Sequence, residues 1–292
     1  IVEGQSMKRY TAKLRADYQA KSWLKVGGNA SYAKYNWKNA NPNEAAGSTG
    51  SVFAMAIGMA PIYPLFIRDG NGNILYDAQG YKRYDFGNGQ NAGLTRPNAT
   101  NSNALCTNLL DLDVSEGNAV NGTGYAEFKF LRDFTFTLNG GLGLDETRAR
   151  SMSNPYYGQF VTNGGNISVG HERSLYFNFQ QLLNWNRTFA GVHTVDVLLG
   201  HEYYRQHSYS LSASKTKLFS TTNLELNGAA VDAKSAASSH SWYNNEGFFG
   251  RVQYDFANRV YASASYRRDA SSKFHPDHRW GNFWSLGAGW LI

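Results

Sequence analysis

Arg9-Tyr10-Thr11-Ala12-Lys13-Leu14-Arg15-Ala16-Asp17-Tyr18 changes character at every step. Tyr10, Ala12, Leu14, Ala16 and Tyr18 share one parity, and Arg9, Thr11, Lys13, Arg15 and Asp17 share the other. Successive side chains of a β-strand point to opposite faces, so the stretch reads as a strand with one apolar and one charged face. Across a short turn, Leu24, Val26, Gly28, Ala30 and Tyr32 repeat the pattern opposite Lys25, Asn29 and Ser31, which makes a hairpin.

The alternation recurs to the end of the chain. Ala126, Phe128 and Phe130 lead across Arg132-Asp133 into Phe134, Phe136, Leu138, Leu142 and Leu144. Leu175, Phe177, Phe179, Leu183 and Trp185 lead through Ala190-Gly191 into Val195, Val197, Leu199 and Tyr203. Val252, Tyr254 and Phe256 lead through Asn258-Arg259 into Val260, Ala262, Ala264 and Tyr266, and Trp284, Leu286, Ala288, Trp290 and Ile292 form a last strand. These segments amount to about nine strands.

Their connections are asymmetric. Turns of a few residues alternate with long polar stretches, notably Trp37 to Gly117 and Ser208 to Asn245, rich in Asn, Gly, Ser and Ala. Such long structureless loops are anomalous in a soluble domain, whereas short turns at one end and long loops at the other typify outer-membrane barrels. Tyr18, Tyr32, Trp185 and Tyr266 stand at strand ends, where an interfacial aromatic girdle belongs. The opposite parity carries charges at Arg9, Lys13, Arg15, Glu127, Lys129, Arg251 and Asp255, as a wet lumen requires. The expected fold is therefore all-β: an antiparallel transmembrane β-barrel segment with short periplasmic turns and long extracellular loops. A soluble sandwich alternates too, and would bury the apolar parity against a second sheet.

Composition narrows the other classes. The 19 Tyr, 17 Phe and 7 Trp beside 30 Gly and only 6 Pro suit strands and turns better than helices. No stretch approaches the roughly 18 apolar residues of a membrane helix; the longest candidate, Val52 to Ala60, is halted by Pro61. The net charge of +6 comes from Lys and Arg scattered singly, without a basic block, so no nucleic-acid partner is expected. Cys106 is alone, which excludes an intramolecular disulfide and a Cys-based metal cluster. The chain opens Ile1-Val2-Glu3 and stops at Trp290-Leu291-Ile292 inside an apolar alternation, so both ends read as cut.

Three ordered motifs near the end carry a resemblance: Phe249-Gly250-Arg251; Arg267-Arg268-Asp269-Ala270-Ser271-Ser272; and Trp280-Gly281 before a strand ending Gly289-Trp290. Together they resemble the SusC/RagA family of TonB-dependent outer-membrane transporters. Leu182-Leu183-Asn184-Trp185 with Leu199-Gly200-His201-Glu202, and the Pro61 to Gly70 segment ending Arg68-Asp69-Gly70, are weaker echoes that extend it over most of the chain. Ala270 stands where the family usually has glycine and Trp284 where it often has proline, which suggests a divergent member. The resemblance implies a barrel of about twenty-two strands around an N-terminal plug. Residues 1–292 are then expected to be a partial barrel domain, with the plug and the remaining strands outside it. It further implies a place in the cell outer membrane, among lipid, and TonB-driven import of oligosaccharides or peptides. The TonB complex would be reached through the missing N-terminal region, and a SusD-like surface lipoprotein would cover the mouth.

No enzyme, cofactor or metal is expected from the remaining motifs. His275-Pro276-Asp277-His278 groups two imidazoles and a carboxylate but shows no fourth zinc ligand. Asp69-Gly70-Asn71-Gly72-Asn73 begins like a calcium loop, yet Ile74 replaces the sharp-turn glycine and Gly80 the bidentate Glu, so a β-turn is expected. Gly140-Gly141-Leu142-Gly143 lies within a strand, lacks a following lysine, and is expected to ease barrel curvature. Nothing in the sequence brings Glu202 and Asp145 together as a glycosidase pair. Aromatic loop residues are better candidates, because sugar C–H faces stack on rings; Tyr156, Tyr157, Trp242 and Tyr243 are the expected substrate contacts. The alternative functions are a passive outer-membrane porin and a soluble or surface carbohydrate-binding β-domain.

Overall fold

The computed structural model describes residues 4–39, 57–78, 80–98, 100, 102–157, 160–232 and 235–292. The wall begins with β1 (Ser6–Lys21) and β2 (Leu24–Lys38). An extracellular segment follows, holding the small β3 (Asn88–Asn91) and β4 (Leu94–Thr95) hairpin and a short helix α1 (Ala104–Leu110). The wall resumes with β5 (Leu112–Phe130), β6 (Phe134–Ser153), β7 (Asn166–Phe189) and β8 (His193–Leu218). It ends with β10 (Ala237–Phe256), β11 (Val260–Ser271) and β12 (Trp280–Trp290), while the short β9 (Ala229–Asp232) pairs with the upper end of β8. Hydrogen bonding runs in the order β1-β2-β5-β6-β7-β8-β10-β11-β12, every neighbour antiparallel.

Register aligns the apolar parities into continuous rows. Leu24 pairs with Phe128, Phe128 with Phe136, Phe136 with Leu183, Leu183 with Leu199 and Leu199 with Gly250. This face is bare: Leu14 is 72% exposed and Leu286 75%. A sandwich would cover it with a second sheet; among the described residues the only other sheet is the β3–β4 hairpin. The bare apolar face meets lipid. On β6 it runs from Phe134 to Leu144, close to the 9–11 residues that a tilted membrane strand needs. No helix of the described residues is long and apolar enough to cross a membrane.

Strands β5 to β8 are 19, 20, 24 and 26 residues long, about twice that requirement, so their upper halves rise out of the bilayer. There the outer face turns polar, with Glu116 and Arg150 paired at 3.0 Å and Glu146 and His171 at 2.7 Å. The connection expected from Ser208 to Asn245 is corrected accordingly: β8 continues to Leu218 and β10 starts at Ala237. Alternation of apolar residues could not reveal these ends, because both faces are wet and Ser and Thr supply the ladder. Ser210 and Ser239 hydroxyls lie 2.9 Å apart, and Ser214 bonds Ser235.

The opposite end is closed by tight turns. Phe189–Val192 and Phe256–Arg259 are each closed by a backbone bond from the fourth residue to the first. Both central residues are left-handed, Ala190 and Gly191 in one and Ala257 and Asn258 in the other. That is the type I′ geometry whose twist matches the flanking strands. An aromatic belt lies just above: Phe130 stacks on Phe134 at 5.5 Å, Phe134 meets Trp185 at 6.4 Å, and His193 meets Phe256 at 5.0 Å.

Candidate functional site: the lumenal wall and the extracellular loops

The second parity forms a polar wall knitted across strands. Asn139 on β6 donates to Gln180 on β7 (3.0 Å), and Gln180 donates to Glu202 on β8 (3.3 Å). Arg267 on β11 donates Nη2 to Glu202 (2.7 Å) and Nε to Asp269 (2.8 Å), with its guanidinium 5.0 Å from the Phe249 ring centre. Lower on the wall, Asp196 accepts from Asn184 at 3.1 Å and from Asn186 at 3.2 Å, with Arg251 3.9 Å away. The face presents fixed donors and acceptors of both signs to a wet interior.

Three rows repeat one device. Tyr125 on β5 lies across Gly27, its partner on β2, and donates to Asp17 on β1 at 2.7 Å, the residue paired with Gly27. Tyr35 lies across Gly117 and meets Thr147 at 2.5 Å. Tyr176 lies across Gly143 and donates to Asn121 at 2.6 Å. In each row glycine supplies the gap that lets a phenol cross one strand and bond the next, because a Cβ there would collide with the ring. Gly247 makes the same room for Arg267 and Asp269. Glycine within Gly140–Gly143 was expected to ease curvature; the structure adds that Gly141 and Gly143 seat Asn178 and Tyr176.

Above the bilayer the first long connection folds on itself. Asp69 accepts from the backbone of Asn71 and Asn73 at 2.9 Å, and Gly72 N–H donates to the Asp69 carbonyl at 3.0 Å, which is the expected β-turn. The Asn73 side-chain and backbone bonds hold the Asp69 carboxyl below its ordinary range. Beneath, Asp85 accepts from Gly87 N–H (2.6 Å) and Asn91 (2.7 Å), and Asn103 caps α1 through Cys106 N–H (3.1 Å). Burial pushes the Cys106 thiol up and raises the Asp111 carboxyl to about 6; a bond from Asn154 N–H (2.7 Å) opposes the latter. Asp111 thus ties this segment to the β6–β7 loop.

Between those two loops lies a cavity of about 400 Å³, lined by Tyr84, Phe86, Asn88, Gln90, Tyr156 and Tyr157 among others. Tyr157 meets Tyr81 and Tyr84 edge-on at 6.4 and 6.1 Å, while Tyr156 is 65% exposed. Tyr81, Tyr84 and Phe86 escaped sequence reasoning, because their segment carries no regular alternation. Trp242 and Tyr243 lie elsewhere and on opposite faces of β10. Trp242 stacks outward on His207 at 3.8 Å; Tyr243 faces the lumen, 5.9 Å from Tyr204.

Comparison with known proteins gives these faces a relative. No protein-family profile matches the chain. It is 25% identical over its whole length to the TonB-dependent receptor SusC of Bacteroides thetaiotaomicron, covering 28% of that protein. It is also 26% identical over 62% of its length to TonB-dependent receptor P39 of Formosa agariphila, covering 18% of that protein. The RagAB peptide transporter structure superposes on 97% of the chain with a TM-score of 0.72 at 22% identity, over 30% of the transporter chain. The chain is similar to a segment of SusC-like TonB-dependent transporters. It is an outer-membrane β-barrel protein, and it spans less than a third of the length of these relatives. The relatives are named as receptors and transporters, not enzymes.

Alternate residues of the SusC-like motifs fall on the lumenal network. Phe249 lies across Gly200 and under Arg267, Arg251 faces Asp196, and the Arg267–Asp269 pair anchors the top of β11. Ser272 fastens the strand end by exchanging 2.9 Å bonds with Asn244. Both departures face outward: Ala270 pairs with Trp280, and Trp284 pairs with Tyr266 and is 75% exposed. Register sets Asp145 beside Ser174 but Glu202 beside Gln180, so no carboxylate pair forms between them. His275 and His278 lie in an exposed turn, and no group of three His, Cys, Asp or Glu with metal-site geometry occurs among the described residues.

Proposed function

We propose that this chain is an arc, residues 1–292, of the partial barrel domain of a transporter importing oligosaccharides or peptides under TonB control. The plug, the TonB contact and the strands that close the barrel belong to the rest of the protein, and a SusD-like surface lipoprotein covers the extracellular mouth. The observation that carries this reading is the division of the sheet into a lipid face and a cross-linked polar lumenal face that holds Phe249, Arg251, Arg267 and Asp269 of the SusC-like motifs. The Tyr156–Tyr157 cavity is the substrate contact at the mouth, and Tyr243 on the lumenal face is a second one further in. Trp242, being turned outward, contacts substrate only around the rim. Aromatic walls take sugar rings or peptide side chains, and the amides of Asn88 and Gln90 bond their polar groups.

The test uses the full-length transporter. Replacing Tyr156 and Tyr157 together by Ala removes two aromatic contacts and weakens substrate binding by about tenfold, with surface expression unchanged. Titration with oligosaccharides and with peptides shows which class loses affinity. Unchanged binding of both classes refutes the loop cavity as a substrate contact.

A further inference from the structure

Three polar side chains interrupt the lipid-facing band. Gln181 lies between Phe179 and Leu183 on β7, His201 between Leu199 and Tyr203 on β8, and Glu246 beside Phe248 on β10, all on the apolar parity. They bond one another: His201 Nδ1 is 2.9 Å from Gln181 Oε1, and Nε2 is 3.0 Å from Glu246 Oε1. Phe248 stacks on the imidazole at 4.5 Å. Ionisable groups facing hydrocarbon are costly, and where they occur they mark function.

Beside the trio the wall is hollowed. Gly250 and Ala264 are small where their neighbours are bulky, and they leave a groove of about 740 Å³ flanked by Leu183, Leu199 and Tyr266. On the same face stand two guanidiniums, one in the row of Phe248 and the other in the row of Asn244, four residues further up β10. Arg268 pairs with Phe248 and lies 5.0 Å from the Trp280 ring centre; Arg205 lies 4.5 Å from that of Trp242. Stacking fixes each cation yet leaves its in-plane N–H donors available. Neither makes an ion pair with a carboxylate among the described residues.

We infer that the outer wall of β8, β10 and β11 seats one phosphate-bearing acyl lipid of the outer leaflet. Its chain fills the Gly250–Ala264 groove, its phosphate meets Arg268, its headgroup extends up the wall toward Arg205, and its hydroxyl or amide groups bond the Gln181–His201–Glu246 trio. Charge decides the occupant. A second copy packed on this patch by two-fold symmetry would add two further guanidiniums to a face where neither is ion-paired, whereas an anionic headgroup supplies the opposite charge.

The experiment is mass spectrometry of the intact full-length transporter, extracted in mild detergent and washed, counting phosphorus-containing lipid per chain. Wild type retains one lipid. Arg205→Gln with Arg268→Gln, and separately Ala264→Phe to fill the groove, each lower retention about tenfold while heat-modifiable mobility shows the barrel folded. Equal stripping of wild type and variants overturns the inference, and so does a variant that dissociates an oligomer without changing lipid content. Should a variant fail to fold, photo-crosslinking of wild type with an acyl-chain diazirine phospholipid decides: label on Leu199 and Ala264 supports the seat, and uniform label along the band refutes it.

Discussion

Gly143→Ala tests the lumenal device most sharply. The added methyl would collide with the Tyr176 ring, so the phenol has to leave its row and give up the 2.6 Å bond to Asn121. Overpacking costs about 1–3 kcal/mol and the lost bond about 0.5–1.5 kcal/mol, offset by the 0.5–1 kcal/mol that alanine gains over glycine in a strand. The net destabilisation is about 0.5–4 kcal/mol. Gly140→Ala is the control three residues away on the lipid face, where the nearest atom to a new Cβ, on Phe179, is 4.0 Å off. It should leave stability unchanged or raise it by up to about 1 kcal/mol. Urea unfolding of the full-length barrel in lipid vesicles, followed by tryptophan fluorescence, reads both. Adding Tyr176→Ala to Gly143→Ala should remove the clash, so the double variant costs less than the sum of the singles. Equal destabilisation by Gly143→Ala and Gly140→Ala, or strict additivity in the double variant, refutes the account.

Leu138→Arg puts a cation in the middle of the β6 lipid band and should cost about 2–4 kcal/mol in the same assay; a loss under half a kcal/mol would mean that this face does not meet lipid. Asp111 has its carboxyl raised from 3.8 to about 6 by burial, so the folded loops bind a proton more tightly than the open ones. Docking is therefore strongest at acid pH and weakens as pH rises from about 4 through 6, by up to about 3 kcal/mol. Asp111→Asn keeps an acceptor for Asn154 N–H and should abolish that dependence, slowing hydrogen exchange at Asn154 and Cys106 at pH 7.5. Exchange that stays equally pH-dependent in the variant would place the titrating group elsewhere.

The wall was legible because its physics is local. Each strand had to show one face to hydrocarbon and one to water, and a period of two residues records that demand directly, from Arg9–Tyr18 to Trp284–Ile292. Where that demand ends, so does the signal. The upper halves of β8 and β10 have water on both sides, so Ser208 to Asn245 read as a loop although most of it is strand. The loop cavity was half visible: Tyr156 and Tyr157 stood out as aromatic loop residues, but their partners Tyr84 and Phe86 lie far away in sequence.

By itself the sequence determined the nine long wall strands, the two faces, the turns and the SusC-like motifs, since all follow from neighbours along the chain or from side-chain type. Tertiary structure alone decided which residues meet across strands. A tyrosine finds its glycine, and Arg267 finds Glu202, only once register is set. Register is fixed cooperatively by every pair in the row, and no single segment carries it.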